Sequence, residues 1–302
     1  MYKNIVLALS AIVFLASCEK EITVKVPAYT PKLVINSNTE VGDSFEVTIG
    51  KSVEILKYKA NKDLSVIDAT VMLYKGSVVA DTMKYNMEKR AYTSDIVARD
   101  GDVYNIKVNA PNMPEATSVT NVPSFVPIAD IQRIKKTRLD AEGQQQDELR
   151  IRFNDPASRG DYYILSVYSN YDSSNVYNYS YGCIYTVDAS VESVYDESID
   201  QNTCLDGNAI FIRDALFNGI TKELRLFVNS ALMEPYEVDG DMVYPKVILR
   251  HVTEDYFKFQ KTYRFASANA GNPFAEPTNV YTNVNNGYGV FSVLSYSAKD
   301  VK

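Results

Sequence analysis

Polar and apolar positions alternate most regularly at Glu148-Leu149-Arg150-Ile151-Arg152-Phe153. A period of two sets leucine, isoleucine and phenylalanine on one face and the arginines on the other, which predicts a half-buried antiparallel strand. Shorter β-favouring runs at 32–36 and 44–49 are separated by a Gly42-Asp43 turn, and 69–74, Lys75-Gly76 and 77–83 read as a hairpin. Asp100-Gly101-Asp102 turns into a strand over 103–108, and the spacing Gly101-x-x-Tyr104 suits a tyrosine at a strand corner that bonds back to backbone. Four prolines crowd 111–127 and mark an extended crossing segment with a boundary near Pro123. Beyond it, 128–139, 162–168, 209–213, 223–228 and 243–250 continue the β pattern. One helix is predicted over 253–264: Thr253 can cap it, Glu254 and Asp255 suit its positive first turn, and Tyr256, Phe259, Gln260 and Tyr263 fall on neighbouring faces. The expected fold is mainly β. An immunoglobulin-like or transthyretin-like sandwich over 31–124 precedes a larger antiparallel β domain over 125–302, with one short helix near the C-terminus.

The first 30 residues follow different rules. Lys3 precedes an apolar run over 5–15 that is shorter than the roughly 20 residues a spanning helix takes. Leu15-Ala16-Ser17-Cys18 then resembles the bacterial lipobox, which implies a signal peptide over 1–17 and a mature chain whose first residue, Cys18, carries acyl chains as a membrane anchor. Glu19-Lys20-Glu21 resembles the export signal of surface lipoproteins of Bacteroidota, although a plain solvated linker is the alternative. Residues 18–30, with Pro27, read as an acylated tether.

Charge narrows the partners. The chain has 31 basic and 38 acidic side chains, a formal net charge of −7, and loss of the signal removes one basic residue, Lys3. Phosphate backbones are bound by basic stripes, so nucleic acid is not expected as a partner. With Cys18 assigned to lipid, Cys183 and Cys204 remain. In an exported protein an even pair favours a disulfide, with two buried thiols as the alternative.

No pattern marks a catalytic centre. The single histidine, His251, stands without a Gly-x-Ser-x-Gly elbow or a His-Glu-x-x-His motif and reads as a structural or surface residue. Val238-Asp239-Gly240-Asp241 lacks the spacing of a calcium loop and reads as an acidic turn; neither a metal nor a cofactor is expected. Paired carboxylates acting on glycans or peptides leave no sequence signature, so a surface hydrolase stays as the rival reading. Tyr177, Tyr179 and Tyr181 repeat every two residues, which in a strand puts three rings on one face, either as cross-strand packing or as a recognition platform. The chain has no tryptophan, which weakens a sugar-stacking role for that face.

The stretch "NPFAEPTNVYTNVNNGYGVF" over 272–291, with "TEDYFKFQ" over 253–260 and "PKLVINS" over 31–37, resembles a family of Bacteroidota lipoproteins catalogued as domain of unknown function 4249. The resemblance spans the mature chain and is most specific at Asn272-Pro273-Phe274 and at Asn286-Gly287-x-Gly289-x-Phe291. It implies a lipid-anchored outer-membrane protein, exposed at the cell surface, that assists a TonB-dependent receptor in nutrient uptake; it implies no catalytic residues. Asn272 and Phe274, with the three tyrosines, are the candidate binding residues. The prolines and glycines of the same stretch also fit a closing loop that wraps the surface before a last strand over 290–294.

Overall fold

The computed structural model describes residues 29–54, 57–59, 62–169, 182–195, 199–200, 202–272, 274 and 278–302. Its first seven strands are β1 (Leu33–Glu40), β2 (Ser44–Lys51), β3 (Thr70–Lys75), β4 (Val78–Asn86), β5 (Ala91–Val97), β6 (Val103–Asn109) and β7 (Ala116–Asn121). Burial alternates along β1 and β2, so Leu33, Ile35, Phe45 and Val47 point into one core while Asn36, Glu46 and Thr48 face outward. That core also takes Leu73, Tyr92, Tyr104, Ile106 and Val108. Tyr104 forms the expected corner: its hydroxyl accepts from the Arg99 N–H and donates to the Val97 carbonyl, both at 3.3 Å. Gly76 and Gly101 adopt φ of +58° and +73° in the turns that flank these strands.

Eleven strands follow: β8 (Ile128–Leu139), β9 (Gln145–Asn154), β10 (Tyr162–Tyr168), β11 (Cys183–Tyr185), β12 (Val191–Glu192), β13 (Leu205–Asp206), β14 (Ile210–Arg213), β15 (Thr221–Asn229), β16 (Tyr236–Val238), β17 (Asp241–Val243) and β18 (Lys246–Val252). Leu149, Ile151 and Phe153 of β9 point inward as the alternation predicts. β16 and β17 form a small hairpin whose turn residues Asp239 and Gly240 have φ of +52° and +91°, so the acidic stretch is an Asp-Gly turn.

Helix α1 (Glu254–Ala268) and strand β19 (Tyr288–Asp300) complete the fold. Thr253 caps α1 by accepting from the Tyr256 N–H at 3.2 Å. The helix runs one turn beyond the predicted end, and Tyr256 and Phe257 are its buried residues. They pack with Ile164, Phe211, Val290 and Leu294 on one face of β10, β14 and β19, while the other face of β10 joins the second core through Tyr163, Leu165 and Val167. Burial from both sides explains the unbroken apolar run Tyr163-Ile164-Leu165.

Twelve strands form one sheet in the order β12-β14-β10-β18-β19-β1-β2-β5-β4-β3-β6-β7, and β13-β11-β15-β9-β8 form a second. The first part of the large sheet rolls up around the first core until β7 meets the segment before β19: Thr117 bridges Asn285, and Ser118 Oγ donates to the Asn283 carbonyl at 2.9 Å. The five-stranded sheet packs against β14, β10 and β18 around the second core. Residues 31–302 are one compact unit holding both cores.

β19 connects the two. It pairs antiparallel with β18 over 295–300 and parallel with β1 over 288–294, sending Phe291 and Val293 into the first core. The parallel pairing needs backbone contact that a side chain would block. A Cβ on Gly289, at φ +97°, would lie 2.1 Å from the Ile35 carbonyl oxygen, and one on Gly287 would lie 2.8 Å from that of Leu33. Asn283 then hydrogen-bonds both main-chain groups of Phe291, accepting from its N–H at 3.0 Å and donating to its carbonyl at 2.9 Å. The Asn-Gly-x-Gly-x-Phe pattern therefore seats a strand that begins at Tyr288, two residues earlier than expected.

Candidate functional site

Two places in the second half concentrate polar chemistry. In the first, Asp155, Asp161 and Asp214 bring carboxylate oxygens within 4.8 Å of one another. Asp155 follows β9, Asp161 precedes β10, and Asp214 opens a 3-10 turn over Asp214–Leu216. Each is supplied with donors. Tyr163 Oη and the Gly219 N–H donate to Asp155 at 2.5 and 2.8 Å, and the Gly160 N–H donates to Asp214 at 2.9 Å. Ser158 Oγ donates to Asp161 at 3.1 Å. Asn218 donates to Asp214 at 3.1 Å once its amide nitrogen is turned toward that carboxylate. His251 Nε2 lies 2.9 Å from Asp161 Oδ1, and Nδ1 donates to the Ser124 carbonyl at 2.8 Å. Burial raises the Asp155 carboxyl, and the neighbouring Asp161 and Asp214 add to that, against the hydrogen bonds from Tyr163 and Gly219. Burial also raises the Tyr163 hydroxyl, with its bond to Asp155 contributing. The cluster is a buckle. It ties the linker at Ser124 and the turns after β9 and β14 to the second core, and the expected structural role of His251 is met.

The second place is an open cleft of about 830 Å³ at one side of the sandwich. β12 ends the twelve-stranded sheet and β13 ends the five-stranded one, and both edges reach the cleft through Glu192, Leu205 and Asp206. The third wall is the outward face of α1, with Gln260, Tyr263 and Arg264. Its charges are paired: Arg264 Nη1 lies 2.5 Å from Asp206 Oδ2, and Glu192 takes Lys261 at 3.2 Å and also Arg213. Arg264 Nε, by contrast, is buried without a hydrogen-bond partner among the described residues. Cys183 and Cys204 form a disulfide with Cα atoms 4.8 Å apart, which fastens the approach to β13 onto β11. Cys204 itself lines the cleft.

Tyr177, Tyr179 and Tyr181 lie outside the described residues, as does Cys18. Asn272 and Phe274 stand on the surface after α1. Asn272 Oδ1 accepts from the Phe274 N–H at 3.0 Å, and the Phe274 side chain is 94% exposed. Neither residue lines the cleft. The cleft-lining residues were not singled out by sequence. Two-residue edge strands carry too little periodicity to read, although Gln260 and Tyr263, one turn apart on the helix and away from Phe257, were the available signal.

Residues 19–300 match the family described as domain of unknown function (DUF4249). The chain belongs to this family. No curated protein matches the chain. The two glycines and Phe291 of the DUF4249 stretch have the architectural role described above, in seating β19. Among the described residues no helix is long and apolar enough to cross a membrane.

Proposed function

We propose that this DUF4249 protein is a lipoprotein anchored at the outer-membrane surface through Cys18, and that it serves without catalysis as an accessory binding protein for a TonB-dependent receptor in nutrient uptake. The observation that carries the binding part is the cleft between the two sheet edges and α1. It offers hydroxyl, amide and aromatic groups around charges that are already paired, an arrangement for holding a ligand. The cleft has two carboxylates of its own, Glu192 and Asp206, both held in ion pairs with Arg213, Lys261 and Arg264, while Asp155, Asp161 and Asp214 are occupied by donors in the buckle and do not line the cleft. The lipobox-like Leu15-Ala16-Ser17-Cys18 and the family resemblance support the anchor and the receptor. Affinity purification of the acylated protein from gently solubilised outer membranes is expected to recover a TonB-dependent barrel. Repeated recovery without one, under conditions that keep known receptor–lipoprotein pairs together, overturns the receptor assignment.

A further inference from the structure

We infer that the cleft takes an extended peptide, added as a strand beside β12. This deepens the binding role proposed above and rests on it. Three features of the cleft point to main-chain recognition. First, among the described residues both flanking strands are terminal in their sheets, and an unpaired sheet edge is a ready template for a further strand. The ladder also sets which groups point outward. The Arg213 N–H donates to the Ser190 carbonyl at 3.1 Å, so Ser190 and Glu192 turn their main-chain groups toward β14. By alternation the Val191 carbonyl and the main-chain groups of Ser193 turn away, the Val191 N–H being taken by the Asp188 carbonyl at 3.1 Å, and Ser193 lines the cleft.

Second, Arg264 Nε is a buried donor in the facing wall with no acceptor among the described residues. The same guanidinium is held at the wall by Asp206, and a small turn of it toward the cleft would bring Nε to a peptide carbonyl. Third, the floor and walls suit alternate side chains. Leu205, Ala209 and Ile210 make an apolar floor for a small side chain, and Ser267 and Ala268 on the last turn of α1 leave room for a backbone. Tyr195 and Tyr263, both 52% exposed, flank the opening and offer contact area to a peptide of varied sequence. The disulfide fixes the β13 wall, so part of the ordering precedes binding. A glycan would leave the β12 edge unused.

The test uses the full acylated protein in detergent micelles and two probes, a tryptic digest of casein and a maltodextrin ladder. Ligands carried through gel filtration are read by mass spectrometry. Casein peptides are expected to be retained, and the strongest binder is then resynthesised with alternate backbone nitrogens methylated. Methylation is expected to weaken it at least tenfold, since it removes the N–H groups a strand pairing uses. Ala268→Trp, which fills the cleft from an exposed helix position, is expected to weaken retention at least tenfold with an unchanged circular dichroism spectrum; Ser267→Trp serves if that variant does not fold. Absence of retained peptides, retention of maltodextrins in their place, indifference to methylation, or undiminished retention by the folded filled variant each overturn the inference. Peptide retention without a barrel in the membrane purification removes the receptor assignment and leaves this inference standing, and the converse result does the opposite.

Discussion

The two cores of this protein solve the same problem in different ways. Around the first, the sheet rolls up and its exposed edge is covered: β7 is met by Asn283 and Asn285, and β19 slides in beside β1. Around the second, two sheets stack face to face and their edges persist. The edge at β8 is guarded by charge and irregularity, with Lys135, Lys136 and Arg138 along it and Lys136 at φ +54° in a bulge. The edge at β12 and β13 carries the paired charges of Glu192 and Asp206 but, among the described residues, no bulge and no covering strand, and there the cleft lies. Closure of one region gives a rigid frame, and the unclosed side of the other is where a partner chain can be received.

The sharpest way to break the comparison is to block the closure. Gly289→Val forces a Cβ against the Ile35 carbonyl, and because that atom is backbone, a shift of the nearby Asn36 side chain does not relieve the clash. The expected loss exceeds about 4 kcal/mol, seen as failure to recover folded protein, whereas Tyr288→Ala on the same strand should fold. Next in size is the ion pair that holds the second region's far edge. Asp147 is fully buried and accepts from Arg133 Nε at 2.6 Å, from the Lys136 N–H at 2.8 Å and from Ser230. Arg133→Ala strands that carboxylate, and a loss of about 3–5 kcal/mol is expected in urea unfolding. The disulfide comes third. Its 21-residue separation corresponds to about 3 kcal/mol in the chain-entropy description. Replacing Cys183 and Cys204 together by alanine should lower hydrogen-exchange protection at β11 and β13 first and leave β1 to β7 at wild-type levels.

The size of these effects does not follow what could be read from the chain. Strands with a dry face and a wet one, such as β2 and β9, declare themselves by alternation, and Thr253 with Glu254 and Asp255 declared the start of α1. The cystine followed from the even pair of cysteines that remains once Cys18 is set aside. The parallel pairing of β1 with β19 was not legible, because it joins residues some 250 positions apart and alternation carries no partner information. Gly287 and Gly289 were read as turn formers. Their role as contact points with β1 depends on that unseen pairing. The cleft was less legible still: its walls come from a two-residue strand at each edge and from the solvent side of a helix whose buried side is what the pattern reports.

Acid should separate the regions more gently. Burial alone would raise Asp147 and Asp188, but hydrogen bonds from Ser230, Lys136 and Arg133 in one case, and from Lys222 and Ser190 in the other, hold both carboxyls below the usual range. A lowered folded-state value means that their contribution is present above the unfolded carboxyl value near 4 and is lost as pH falls through the folded value. Asp155, which is raised, runs the other way: its contribution is present in acid and is lost as pH rises through its folded value. Urea midpoints taken downward from neutral pH should therefore fall in acid, with a flatter fall in Asp188→Asn. The smallest effect is expected at Phe274, whose exposure leaves little to lose. Phe274→Ala should change stability by less than about 0.5 kcal/mol, and a larger loss would show that the loop after α1 is part of the frame.

The central claim, that the unclosed edge of the second region receives a ligand while the first region stays a frame, is tested most directly by hydrogen exchange on the full-length protein with and without casein peptides. The account predicts new protection at Ser193 and Asp206 and in the last turns of α1, with Glu192, which already faces β14, and with β1 and β2 unchanged. New protection confined to β1 to β7, or peptide binding that leaves the β12 and β13 edges exchanging as before, would contradict it.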